Sequence, residues 1–188
     1  MLNQNSQKKE QRDFYEIISS EFISITGGLV AGISLAFYTD KILLIPGLLI
    51  LIPGFMEMRG NISGSLASRI SSLLHIGYLK PELKKTKTLM GNIISSYLLA
   101  VTVGLVLGIV AYIATMIFFK INYPLIILVA LIAVMISNVI EIPLTIYTVF
   151  WLYKKGHDPD NIMGPYITTV GDIISILSLF IAVFIAGG

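Results

Sequence analysis

Residues 161–188 read NIMGPYITTVGDIISILSLFIAVFIAGG. From Gly164 onward this stretch is long and apolar enough to cross a bilayer, which takes about 20 helical residues, yet Asp172 sits inside it. Eight residues beyond Gly164, at the rise of an α-helix, the carboxylate lies roughly 12 Å deep. Insertion scales put the cost of an aspartate in such a place at about 2.5–3.5 kcal/mol. Carboxylates tolerated in lipid face a bundle interior or a watery path, and they mark function by default.

The rest of the chain agrees with a membrane setting. Of 188 residues, 55% are hydrophobic and 13% charged, against roughly a quarter charged in soluble domains, and the mean hydropathy is +0.85. Five apolar segments separate at about 17–38, 42–77, 89–119, 123–153 and 164–186, behind a polar stretch at 1–16. The fold expected is therefore an all-α integral membrane protein with five transmembrane helices. The first apolar run contains Glu21 and has no small-residue cleavage site after it, so it does not read as a signal peptide. The second segment is the irregular one. Its apolar part is short, carries Pro53-Gly54, and continues into a Gly- and Ser-rich stretch with Glu57, Arg59 and Arg69. Interrupted segments of this kind often mark ion sites in transporters, so this helix is expected to be broken.

Basic residues set the expected orientation. Lys8, Lys9 and Arg12 precede the first segment, Lys80, Lys84, Lys85 and Lys87 follow the second, and Lys154 and Lys155 follow the fourth. The alternate loops hold only Lys41 and Lys120. The positive-inside rule then favours five crossings, with the N-terminus cytoplasmic and the C-terminus outside. The absence of Cys and of a targeting segment points to a plasma membrane.

Helical spacing groups the buried polar residues. Asn161, Pro165, Thr168, Asp172 and Ser175 recur every three or four positions and share one face. Asn138, Glu141, Thr145 and Thr148 form a second set. Glu141 fits either an ion or proton site or a partner for Arg59 or Arg69. The pairs Gly28–Gly32 and Gly104–Gly108 read as close helix contacts. Gly60, Asn61 and Gly64 read either as packing or, past a helix break, as carbonyls facing an ion. His75 and His157 read as solvated and not as ligands. The donors left are carboxylate, hydroxyl, amide and carbonyl oxygens, a set suited to hard cations such as Mg²⁺, Ca²⁺, Mn²⁺ or Na⁺. No nucleophile–base pair, GxSxG turn or HExxH motif is present, so an enzyme is not expected, and nothing points to nucleic acid.

Two stretches are more specific. GFMEMRGNISGSLASRISSLLHIG at 54–77 and LYKKGHDPDNIMGPYITTVGDIISIL at 152–177 resemble the two signature segments of the MgtE and solute carrier 41 family of magnesium transporters. The resemblance covers about residues 17–186 and implies a five-helix unit, two of which form one pore at their interface. It implies that Asp172 is the central cation ligand, and that Thr168, Thr169, Gly60 and Asn61 line the pore, often through backbone oxygen. Asn138, Glu141, Asn161, Ser175, Gly64 and Glu57 stand as further pore-lining or coupling candidates. Bacterial members carry cytoplasmic sensor domains, and eukaryotic members carry two such units in one polypeptide. Here about 16 polar residues precede the first helix, so this chain is expected to act without that sensor, as a homodimer or with a paralogous half. The function expected is Mg²⁺ transport through a dimer-interface pore. The alternatives are a Na⁺- or H⁺-coupled exchanger and a non-transporting subunit that needs a partner half.

Overall fold

The computed structural model describes residues 4–187. Among these there is no strand; the chain forms five long helices and one short one. They are α1 (Gln4–Phe37), α2 (Thr39–Leu43), α3 (Leu48–His75), α4 (Lys87–Phe119), α5 (Leu125–Lys154) and α6 (Pro159–Ile185). Four of the long helices, α1, α4, α5 and α6, are apolar enough to cross a membrane. The fifth, α3, has 28 residues, or about 42 Å at helical rise, which is ample length, but it carries Glu57, Arg59 and Arg69.

The second segment is split, but not where the sequence suggested. The break falls between α2 and α3, at 44–47, where Gly47 adopts φ 83°, a left-handed conformation that costs glycine nothing. Beyond it α3 runs unbroken through Pro53 to His75. Pro53 lies in the sixth position of α3. Its missing N–H frees one carbonyl without stopping the helix, as membrane helices tolerate. Gly60 and Asn61 are consequently ordinary helical residues, and the expectation that an unwound backbone there offers carbonyls is corrected.

Two further bounds differ. The polar stretch 1–16 is helical from Gln4 and continuous with α1. Helix α6 starts at Pro159, before the apolar run, because Asp158 caps it by accepting from the backbone N–H of Asp160 and Pro159 supplies a first residue with preset φ.

The packing is layered along the bundle. One apolar cluster joins α2, the first half of α3, the second half of α4, the first half of α5 and the end of α6, through Leu51, Phe55, Ala111, Val129 and Leu179. The other joins the remaining halves through Leu66, Ile70, Ile142, Val149 and Ile167. Gly104 and Gly108 let α4 lie against α5: a Cβ on Gly104 would meet Val134 at 2.6 Å, and one on Gly108 would meet the Ile127 Cα at 3.0 Å. Gly28 and Gly32, read as a packing pair, face open space instead. Helix α1 sits at the periphery on α6, where Gly27 is pressed against Thr169.

The ends that carry most of the basic residues come together. Arg12 donates to the Gly156 carbonyl at 2.8 Å, and Tyr153 donates to the Leu74 carbonyl at 3.1 Å. The start of α1, the α3–α4 loop and the α5–α6 turn therefore share one end of the bundle. In that loop Lys84 lies 2.6 Å from Glu82 and, chiefly by hydrogen bonding to it, holds its carboxyl below the usual range.

Candidate cation site

Asp172 is the fourteenth of the 27 residues of α6 and so occupies its midpoint. Arg59 and Glu141 also lie near the middle of α3 and α5. All three meet at the seam between the two apolar clusters.

Arg59 is the hub, only 1% exposed. Its Nη2 donates to Asp172 Oδ1 at 3.0 Å. Its Nη1 donates to Glu141 Oε2 at 3.3 Å and to the Ile167 carbonyl at 3.1 Å. Its Nε lies 3.3 Å from Glu141 Oε1, close enough for ion pairing but not aligned for a hydrogen bond. Ser63, one turn along α3, donates to Glu141 Oε2 at 3.1 Å. This settles the partner of Glu141 as Arg59; Arg69 instead donates to Ser96 of α4. Glu141 is 4% exposed, and the Asp172 side chain is 16% exposed. With all three groups ionised, one cation faces two carboxylates and the cluster carries a net charge of −1.

The guanidinium reaches across α6 because residue 171 is glycine. A Cβ there would overlap the Arg59 guanidinium outright. Sequence reasoning passed over Gly171, although it stands beside Asp172.

Next to the cluster an open cleft of about 440 Å³ is lined by Glu21 and Ser24 of α1, Glu57, Gly60, Asn61 and Gly64 of α3, and Gly164, Pro165, Ile167 and Thr168 of α6. It gathers five of the candidate residues, Glu57, Gly60, Asn61, Gly64 and Thr168, and adds Glu21 and Ser24, which had not been singled out as site residues. Asn61 Nδ2 donates to Glu57 Oε1 at 3.1 Å, the reach of one helical turn. Thr168 donates its hydroxyl to the Gly164 carbonyl and Thr169 to the Pro165 carbonyl. Their oxygen lone pairs are left to accept or coordinate.

Other candidates lie apart from the cleft. Thr169 packs on Gly27 of α1. Asn138 is buried on α5 and donates to its own helix at Val134. Ser175 is fully buried, with no hydrogen-bond partner among the described residues. The backbone carbonyl of Asn161 has no helical donor, because position 165 is proline; Ser20 of α1 lies 3.3 Å from it and takes that place. The two histidines are exposed, and each meets a carboxylate: His157 with Glu16 at 2.8 Å and His75 with Asp158 at 3.3 Å. His75, Asp158 and Asp160 have ligand atoms within 4.8 Å of one another, the one such trio among the described residues.

The bundle thus holds opposed charges near the middle of three helices, beside a polar cleft. Residues 52–182, more than two thirds of the chain, match the MgtE family, described as divalent cation transporters. The chain belongs to the MgtE family. Solute carrier family 41 member 2 of Gallus gallus is 24% identical over 162 residues, covering 84% of this chain and 28% of that protein. The human protein of the same name is 25% identical over 134 residues, 69% of this chain and 23% of that protein. The chain thus spans about a quarter of the length of these curated relatives. No solved structure shows a significant match. MgtE is a family of membrane transporters and not a class of enzyme, and the matched region contains most of α3 and of α6, with the Arg59–Asp172 pair.

Proposed function

We propose that this MgtE-family chain carries divalent cations, Mg²⁺ foremost, across the plasma membrane, with Asp172 as the central ligand. The observation that carries the reading is the place of Asp172: mid-helix and partly exposed, on the helix that also lines an open polar cleft. Polar side chains and a carboxylate at membrane depth need water or another protein surface over them. A second copy, or a paralogous half, set against α1, α3 and α6 would close the cleft into a path with the N-terminus cytoplasmic. Thr168, Asn61 and Glu57 would then offer oxygen ligands and water-holding groups, with Gly60 and Gly64 keeping the wall low. Such a donor set suits an ion that keeps part of its hydration shell, as Mg²⁺ does.

The test is Mg²⁺ uptake into proteoliposomes containing this chain alone, beside Asp172→Asn. We expect uptake from the native protein and its loss in the variant, with both folded. Native-like uptake by Asp172→Asn would remove Asp172 from the path. A second reading draws on the Arg59–Asp172 contact: the pair is purely a structural tie, and the chain is a non-transporting subunit. It predicts no uptake from folded native protein alone and recovery on co-reconstitution with a partner half.

A further inference from the structure

We propose that Arg59 is the resident counter-cation of the transport path: it occupies Asp172 when no ion is there, and it sets the affinity and the divalent preference of the site. The inference rests on Asp172 being the cation ligand, as proposed above.

The geometry is asymmetric. Arg59 turns two nitrogens, Nη1 and Nε, to Glu141 at 3.3 Å each, and Glu141 is itself held by Ser63. It turns one, Nη2, to Asp172; its other contact on α6 is to the backbone carbonyl of Ile167. Glu141 is the more deeply buried carboxylate and Asp172 the more exposed. Glu141 is therefore the anchor and Asp172 the exchangeable partner. An arriving ion displaces a single hydrogen bond, and the guanidinium stays paired throughout. A buried charge stripped of its partner is expensive, so a guanidinium that falls back onto Asp172 spares the protein a bare carboxylate whenever the ion leaves.

Selectivity follows from the same charges. The guanidinium stays in the cluster, so each copy presents one net negative charge to an arriving ion. Two copies facing one path would present two, which a divalent ion neutralises and a monovalent ion leaves half unpaired. Gly171 is what makes this possible, because any larger residue there would exclude the guanidinium from α6.

The experiment is a Mg²⁺ titration of the purified full-length chain, read as ligand-dependent thermal stabilisation, with Na⁺ as competitor and uptake measured alongside. Arg59→Gln makes the cluster more negative by one unit. We expect Mg²⁺ affinity to rise at least tenfold, a conservative figure for a unit charge a few ångströms away, with slower maximal uptake and measurable Na⁺ competition. Arg59→Gln combined with Glu141→Gln restores the net charge with little change of shape, and its affinity should return to within about threefold of native. Glu141→Gln alone keeps Arg59 and leaves it to Asp172, so Mg²⁺ affinity should fall at least tenfold; this arm stands even where Arg59→Gln does not fold. Unchanged affinity in Glu141→Gln, or a double variant that still binds tenfold tighter, overturns the proposal. Full Mg²⁺ binding and uptake by Asp172→Asn would instead sink the reading of Asp172 as ligand, whatever the Arg59 variants do.

Discussion

Gly171 carries as much of the site as the charges beside it. Its missing Cβ is the space through which the Arg59 guanidinium reaches Asp172 and the Ile167 carbonyl. Gly171→Ala places a methyl group in the guanidinium, and a buried arginine with four polar contacts has no rotamer to retreat to without losing a carboxylate. We expect the thermal stability of the purified protein to fall by roughly 3–5 kcal/mol, the range for breaking a buried ion pair, with uptake reduced in step. A melt indistinguishable from native would mean that Arg59 reaches its partners another way. Nothing in the sequence pattern distinguished Gly171 from the other helical glycines. Its role depends on a side chain 112 positions earlier, and only packing reveals that.

Among the helices, α4 and α5 show a glycine pair that was legible in advance. Gly104 and Gly108 lie one turn apart and face Val134, Ala130 and the Ile127 backbone. At Gly108 the obstacle is backbone, which cannot swing aside. Gly108→Val should cost about 1–3 kcal/mol by overpacking, and the Mg²⁺ affinity of the protein that remains folded should be unchanged, because the contact is remote from Asp172. A large loss of affinity would imply that α4 reaches the site through α5. Helix α3 shows the opposite outcome. Its Pro53-Gly54 and Gly60 looked like a break, but local helix-breakers lose to tertiary packing when Phe55, Met58 and Ile62 on the same helix are buried in a common core. Helix α6 was legible in type but not in length: the apolar count began at Gly164, and the Asp158 cap with Pro159 moved its start to Pro159.

For the assembled bundle, the chain has no cysteine, so single cysteines report without background. If the cleft is closed by a second copy, Asn61→Cys on its wall should form disulfide-linked dimers in native membranes under mild oxidant. Leu98→Cys, exposed on α4 and away from the cleft, should not. The reverse pattern would move the interface to α4. The alternation of basic loops foretold which helix ends meet, and the structure gathers them at one end, tied by Arg12 to Gly156 and Tyr153 to Leu74.

The sequence by itself determined that this chain is helical and membrane-bound, roughly where its long helices run, which family it resembles, and that Asp172 is an anomaly in lipid. These follow from composition, period and charge placement, which act locally along the chain. Tertiary structure decided what Asp172 faces. That Arg59 pairs with both Asp172 and Glu141, that Gly171 admits it, and that Glu21 and Ser24 join the cleft all depend on contacts between residues far apart in the chain. A buried charge must find a partner wherever packing brings one near, and spacing along a helix does not say which neighbour that will be.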